Sequence, residues 1–313
     1  MNILYWPLYP LILILSFLTG IIPARLGYAI AWLGGSIAYY LLPNRRRVIA
    51  ANYAPVLGRQ PNDREVRRVG QESFRNFGRY LYEFLRLPHC SIDEIDRRVS
   101  LHVGEDFMQA RQQGKGMIFV SAHFGNMDYA AVSVVKHIVP MTVVADMLQP
   151  KQLMDHLVEF RGKKGLRIVY HSKAARAVVE ALKKNEAVGF LVDVGCNRDG
   201  GIPVTFFGRH TRFPAGPAAL ALRTGAPIVV GYTLIVGDRI EAYSYPPIYA
   251  QPTGNKADDI RRCSQMIANN FEDFIRRHPE QWYIFRQMWG TETLDSSWPA
   301  EEASVHEALS EGA

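Results

Sequence analysis

Between residues 117 and 233, short apolar, β-favouring runs recur at 117–122, 141–145, 166–170, 187–192 and 228–233, and the stretches between them carry helical periodicity. That alternation admits few folds. A run of consecutive apolar residues is a strand covered on both faces, and strand, helix and strand at this spacing form a βαβ unit with a parallel pair. The periodicity predicts helices over residues 104–113, 127–137, 152–164, 172–184, 218–224 and 258–278, with Ser172 as a cap and Pro217 in a first helical turn. Residues 234–248 read as hairpin strands. The expected fold class is α/β, a single mixed, mostly parallel sheet flanked by helices. Upstream, residues 66–87 form an amphipathic helix with Val69, Phe74, Phe77, Tyr80, Leu81 and Phe84 on one face, ended by Pro88.

The N-terminus is of another kind. Residues 1–43 carry a single charge, Arg25, between two apolar runs, and Asn44-Arg45-Arg46-Arg47 follows at once. A secretory signal would open with a basic residue and end at a small-residue cleavage site, and neither is present. Pro7, Pro10 and Pro23 interrupt the first run and the second is short, so the segment reads as a monotopic anchor, a single transmembrane helix or a pair of buried helices. Basic residues flanking an apolar segment suit a cytoplasmic face and anionic headgroups. The expected organisation is therefore a hydrophobic anchor over 1–43, a catalytic domain over 44–290 and an acidic, disordered tail over 291–313.

The net charge of +6 calls for an anionic partner, and the apolar N-terminus selects a membrane surface over nucleic acid. The three cysteines lie far apart, without metal-ligand spacing, which points to a reducing compartment and to no metal. No Gly-x-Gly-x-x-Gly follows a strand and no P-loop spacing occurs, so a nucleotide cofactor is not expected.

Chemistry concentrates at the end of the run 117–122. His123 leaves the strand, Gly125-Asn126 makes a turn, and Asp128 stands in the first turn of the next helix, at the strand-to-helix mouth where open α/β sheets build their sites. A carboxylate that accepts one imidazole N–H fixes the tautomer and steadies the imidazolium, and the other ring nitrogen can then take a proton from a hydroxyl near neutral pH. Asp128 is the expected partner of His123. The run 187–192 delivers Asp193 in the same way, and if the two strands are near neighbours both residues face one crevice. Backbone N–H groups over 124–126, Gly125 and Asn126 included, are the expected oxyanion donors at a helix start. Arg161, Arg209 and Arg212 are candidates for phosphate or sugar groups, because guanidinium forks match such oxygens. The Gly-rich stretch 195–201 is a candidate loop over a ligand. There is no Gly-x-Ser-x-Gly elbow and no cysteine in a nucleophile motif, so the nucleophile is expected to be a hydroxyl of the substrate.

These residues carry a resemblance. His123-Phe124-Gly125-Asn126-Met127-Asp128 resembles the H-x4-D/E block of the lysophospholipid acyltransferase superfamily, and in detail the block of the bacterial late acyltransferases of lipid A biosynthesis and the related phosphatidylinositol mannoside acyltransferases. Arg47 and Asn52, Arg161 and Gly165, Leu191-Val192-Asp193, Phe206-Phe207-Gly208, Pro214 to Ala218, Thr224 to Pro227 and His278-Pro279-Glu280-Gln281-Trp282 fall in the family's order. The resemblance implies a glycerolipid acyltransferase-like fold with N-terminal membrane-binding helices at the cytoplasmic face of a bacterial inner membrane. It implies an O-acyltransferase that uses acyl-ACP or acyl-CoA as co-substrate, without a cofactor, on a lipid acceptor. His123 would be the general base and Asp128 its partner, with Arg161 and Asp193 binding the acceptor or completing the site. Asp128 and Met127 stand where the nearer members carry Glu and Trp, which leaves the acceptor open between a lipid-A-like glycolipid, a lysophospholipid and a mannosylated lipid. A non-catalytic membrane adaptor of the same fold is the contrasting expectation.

Overall fold

The computed structural model describes residues 8–147, 150–171, 174–194 and 201–290. Two apolar helices, α1 (Leu8–Ile21) and α2 (Ala24–Leu41), lead into α3 (Pro43–Leu57) and the long α4 (Arg64–Arg86), capped by Asp63 accepting from the Glu65 N–H. Then come α5 (Ile92–Asp96), β1 (Val99–His102), α6 (Glu105–Gln112), β2 (Met117–Ser121), α7 (Met127–His137), β3 (Met141–Ala145), α8 (Lys151–Lys163), β4 (Leu166–Tyr170), α9 (Ala174–Lys183) and β5 (Ala187–Leu191). A hairpin of β6 (Gly201–Phe206) and β7 (Arg209–Pro214), α10 (Gly216–Thr224), β8 (Ile228–Val236), β9 (Arg239–Ser244) and α11 (Lys256–Arg277) complete the order.

The main sheet has seven strands in the order β1-β9-β8-β2-β5-β3-β4. Every pairing in it is parallel except β8 with β9, so the expected mixed, mostly parallel sheet is present. The strand runs are apolar without alternation because both faces are covered. In β2, Ile118 and Val120 enter the core shared with α9, α10 and α11, while Met117 and Phe119 enter the opposite core with Phe107, Tyr129, Val132 and Leu157. β2 lies between β5 and β8 near the middle of the sheet, and the site stands beyond its carboxyl end.

Two elements depart from expectation. The run at 228–233 continues to Val236 as one strand, and the hairpin turns at Gly237 and Asp238, with Gly237 at φ 59°. The stretch 201–214, to which the sequence pattern assigned no element, is a separate two-stranded antiparallel hairpin on α11, with Ile202, Val204, Phe206, Thr211 and Phe213 turned inward. Its turn residues, Phe207 and Gly208, have φ 51° and 70°, the conformation that two-residue hairpin turns require.

No helix among the described residues is long and apolar enough to cross a membrane, so the reading of 1–43 as a transmembrane helix is not supported. Instead α2 lies along α4. A Cβ on Gly35 would come within 2.4 Å of the Phe74 carbonyl oxygen, one on Gly78 within 2.5 Å of the Ala31 carbonyl oxygen, and one on Gly27 within 2.3 Å of the Tyr82 ring. Close backbone approach of this kind makes α2 part of the folded body. Its other side, with that of α1, is open: Ile14, Phe17, Ile21, Leu26, Ile30 and Leu33 are all exposed. Ser172, most of the 195–201 loop and the tail over 291–313 lie outside the described residues.

Candidate active site

The register of the two central strands decides which carboxylate meets His123. Ser121 on β2 pairs with Leu191 on β5, so residues two positions beyond each strand, His123 and Asp193, stand opposite one another. His123 Nδ1 lies 2.8 Å from Asp193 Oδ1, and the backbone N–H of His123 donates to Asp193 Oδ2 at 2.9 Å. The indole Nε1–H of Trp282 donates to the same Oδ2 at 2.9 Å. Asp193 is 0% exposed, whereas the His123 side chain is 33% exposed. Its Nε2 has no hydrogen-bond partner among the described residues. A carboxylate held by three N–H groups keeps the Nδ1 proton in place and leaves Nε2 as a proton acceptor on the open side.

Asp128 is not that partner. The first turn of α7 directs it toward α4 and α8, where Oδ1 meets both Nε (2.9 Å) and Nη2 (2.8 Å) of Arg161, and Oδ2 accepts from the Tyr80 hydroxyl at 2.9 Å. Arg161 also lies over the Phe84 ring, 5.4 Å from its centre, and its Nη1 has no hydrogen-bond partner among the described residues. Burial, with the Asp128 charge beside it, pushes the Tyr80 hydroxyl well above its ordinary range, so it remains a proton donor to that carboxylate.

Gly125 and Asn126 shape the turn. Gly125 has φ 58°, and a Cβ there would fall 2.0 Å from the Thr233 carbonyl oxygen, so only glycine fits. Its N–H is not an oxyanion donor, because it already donates to the Gln281 carbonyl at 3.0 Å. Asn126 is buried and caps α7: its Oδ1 accepts from the Tyr129 N–H at 3.0 Å, and its Nδ2 donates to Glu83 at 2.6 Å. Both ends of the side-chain amide are thus committed, which gives the Asn126 side chain a structural part in the turn. Arg209 is exposed at the hairpin turn. Arg212 is half-buried and donates to the Gly201 carbonyl at 3.0 Å.

Trp282 arrives on a segment that runs against the turn, where the Tyr283 N–H donates to the His123 carbonyl at 2.7 Å. Asn52 on α3 fixes that segment by donating to the carbonyls of Ile284 (3.0 Å) and Arg286 (2.8 Å) and accepting from the Met288 N–H (3.1 Å). Tyr53 donates to the Trp282 carbonyl at 2.5 Å. Trp282 and Asn52 were both in the sequence motifs, but their roles depend on contacts across the whole chain.

The model of the family described as bacterial lipid A biosynthesis acyltransferase matches residues 3–291. A phosphatidylinositol mannoside acyltransferase of Mycolicibacterium smegmatis is 27% identical over 288 residues, covering 86% of this chain and 92% of that protein. One of Mycobacterium tuberculosis is 27% identical over 230 residues, covering 72% of this chain and 71% of its own length.

Proposed function

The chain belongs to the bacterial lipid A biosynthesis acyltransferase family and is an acyltransferase, and from that premise we propose that it moves a fatty acyl group from acyl-ACP or acyl-CoA to a hydroxyl of a lipid-A-like glycolipid, with His123 as general base. The observation that carries this reading is the His123–Asp193 pair with an unoccupied Nε2 on the open side of the ring. The acceptor hydroxyl gives its proton to Nε2 as its oxygen attacks the thioester carbonyl. Collapse of the tetrahedral intermediate breaks the C–S bond, and the departing thiolate takes the proton back from the imidazolium. Asp193 holds the tautomer and balances the transient positive charge. Arg161, oriented by Asp128, offers Nη1 to a phosphate or sugar oxygen of the acceptor.

The exposed apolar sides of α1 and α2, followed by Arg45, Arg46 and Arg47, support attachment to an anionic lipid surface at the cytoplasmic face of the inner membrane. A second reading, transfer to a mannosylated phosphatidylinositol, is favoured by the names of the two mycobacterial relatives. The test supplies the full chain with palmitoyl-ACP or palmitoyl-CoA and vesicles containing either a tetra-acylated lipid A precursor or a phosphatidylinositol mannoside, and follows the acyl label. Transfer to one acceptor selects the reading. Release of free palmitate without transfer would instead indicate a hydrolase. His123→Ala is expected to lower kcat by about 10²- to 10⁴-fold, the usual contribution of a positioned base; full transfer by this variant would overturn the mechanism. Trp282→Phe keeps an aromatic ring, smaller than the indole, and removes one donor to Asp193. Its expected effect on kcat is a loss of about 3- to 10-fold, part of what a hydrogen bond to a charged group is worth, with the circular dichroism spectrum unchanged.

A further inference from the structure

Besides Asp193, one other carboxylate among the described residues is at 0% exposure, Glu83 on α4. Its two oxygens are divided between two parts of the molecule. Oε1 accepts from the Tyr28 hydroxyl at 2.8 Å and from Arg98 Nη2 at 2.6 Å, with Arg79 Nε at 3.5 Å. Oε2 accepts from Asn126 Nδ2 at 2.6 Å. Taking a carboxylate and two guanidinium groups out of water is costly, and an apolar cluster of similar volume is often as stable. What such a cluster can supply is one fixed arrangement of the groups that it joins.

The joined groups are informative. Asn126 follows His123 by three residues, and its Oδ1 is spent on the α7 cap, so Glu83 orients the only part of that amide left over. The turn between them has no slack: Gly125 is pressed against β8, and Tyr283 holds the His123 carbonyl. On the other side, Tyr28 belongs to α2, with its ring edge-on to Tyr82 at 5.0 Å and the Arg79 guanidinium 5.0 Å from its centre. Arg98 Nε also donates to the Asp238 carbonyl in the β8–β9 turn.

We propose that Glu83 is a positioning residue for acyl transfer: its carboxylate fixes the Asn126 amide, and through it the turn that presents His123, in register with the seating of α2 on α4. This rests on His123 acting as the base of an acyl transfer. Glutamine nearly matches the shape of Glu83 but has a single acceptor oxygen. With that oxygen toward Tyr28 and Arg98, the new amide sets its NH2 against the NH2 of Asn126; turned over, it sets its NH2 against Arg98. Asn126 cannot flip to relieve this without losing the cap. Asn126→Asp alone puts two carboxylates face to face. The two changes together restore a donor opposite an acceptor with the polarity exchanged and the net charge unchanged.

The experiment uses the full chain in the palmitoyl-thioester assay described above. Glu83→Gln and Asn126→Asp are each expected to lower kcat by about 10- to 100-fold, the scale of an ångström-level misplacement, with KM for the thioester changed less than about threefold. The double variant is expected to recover to within about threefold of wild-type kcat. A role confined to stability would move melting temperatures without that recovery. Wild-type kcat in Glu83→Gln, or a double variant no faster than the singles, overturns the proposal. If Glu83→Gln does not fold, Asn126→Asp against the double variant makes the same test. No turnover by the wild-type chain overturns the parent reading as well, whereas turnover indifferent to these changes overturns only this one.

Discussion

Asp193→Asn is expected to lower kcat for acyl transfer by about 10²- to 10⁴-fold while leaving KM for the thioester within about twofold. The size of the effect follows from how the carboxylate is shared. Oδ2 accepts from two donors, the His123 backbone N–H and Trp282 Nε1, and Oδ1 faces His123 Nδ1. The new amide would keep its oxygen where two donors already point, so its NH2 would face Nδ1. The imidazole would then accept at Nδ1 and carry its proton on Nε2, the atom required to take a proton from the substrate. The ring would stay in place but in the wrong tautomer. Asp128→Asn touches none of these contacts and is expected to leave kcat per folded molecule far closer to wild type. The pair of variants, compared in the same thioester assay with circular dichroism as the control for folding, decides which carboxylate serves His123. Similar losses in both would refute the assignment to Asp193.

The contrast also shows what the sequence contained. The apolar runs of β2, β5 and β8 were readable because burial on both faces leaves no polar interruption, and their lengths predicted strands within a residue or a few of those observed. β1 is four residues long and only half-buried, too short to stand out. The β6–β7 hairpin was hidden by its turn: a phenylalanine at φ 51° is an unusual occupant, and the Arg and His residues around it read as loop chemistry. His123 was legible because strand, turn and helix N-terminus adjoin in sequence. Asp193 was legible as a candidate for the same crevice but not as the partner, because β2 and β5 are neighbours only through the strand order, and the nearer Asp128 was the local candidate. Glu83 escaped for a related reason. An amphipathic reading of α4 sorts residues into an apolar and a charged face, whereas Glu83 is a charge on the buried side, matched by Arg98 and Asn126 from distant parts of the chain.

If Asp128 works through Arg161, its removal should be read first in stability. Asp128→Ala leaves the guanidinium of Arg161, whose side chain is 19% exposed, and the Tyr80 hydroxyl without their carboxylate. Breaking a buried pair from one side costs about 3–5 kcal/mol, because the surviving charge stays desolvated. At roughly 2–4 °C per kcal/mol for chains somewhat shorter than this one, the melting temperature should fall by about 6–20 °C. Removing the other partner as well should return most of that loss: Arg161→Met on the Asp128→Ala background deletes the stranded charge and keeps an apolar side chain over Phe84, and replacing both members of a buried pair is often close to neutral. Transfer should not return with it if Arg161 Nη1 holds the acceptor as proposed, and the loss is then expected mainly in KM for the lipid. The double variant therefore separates two roles that a single substitution merges. Recovery of melting temperature without recovery of acceptor binding identifies Asp128 as the support of an arginine. A melting temperature unchanged in Asp128→Ala, with kcat as low as in Asp193→Asn, would return Asp128 to the side of His123 and contradict the geometry set by the β2–β5 register.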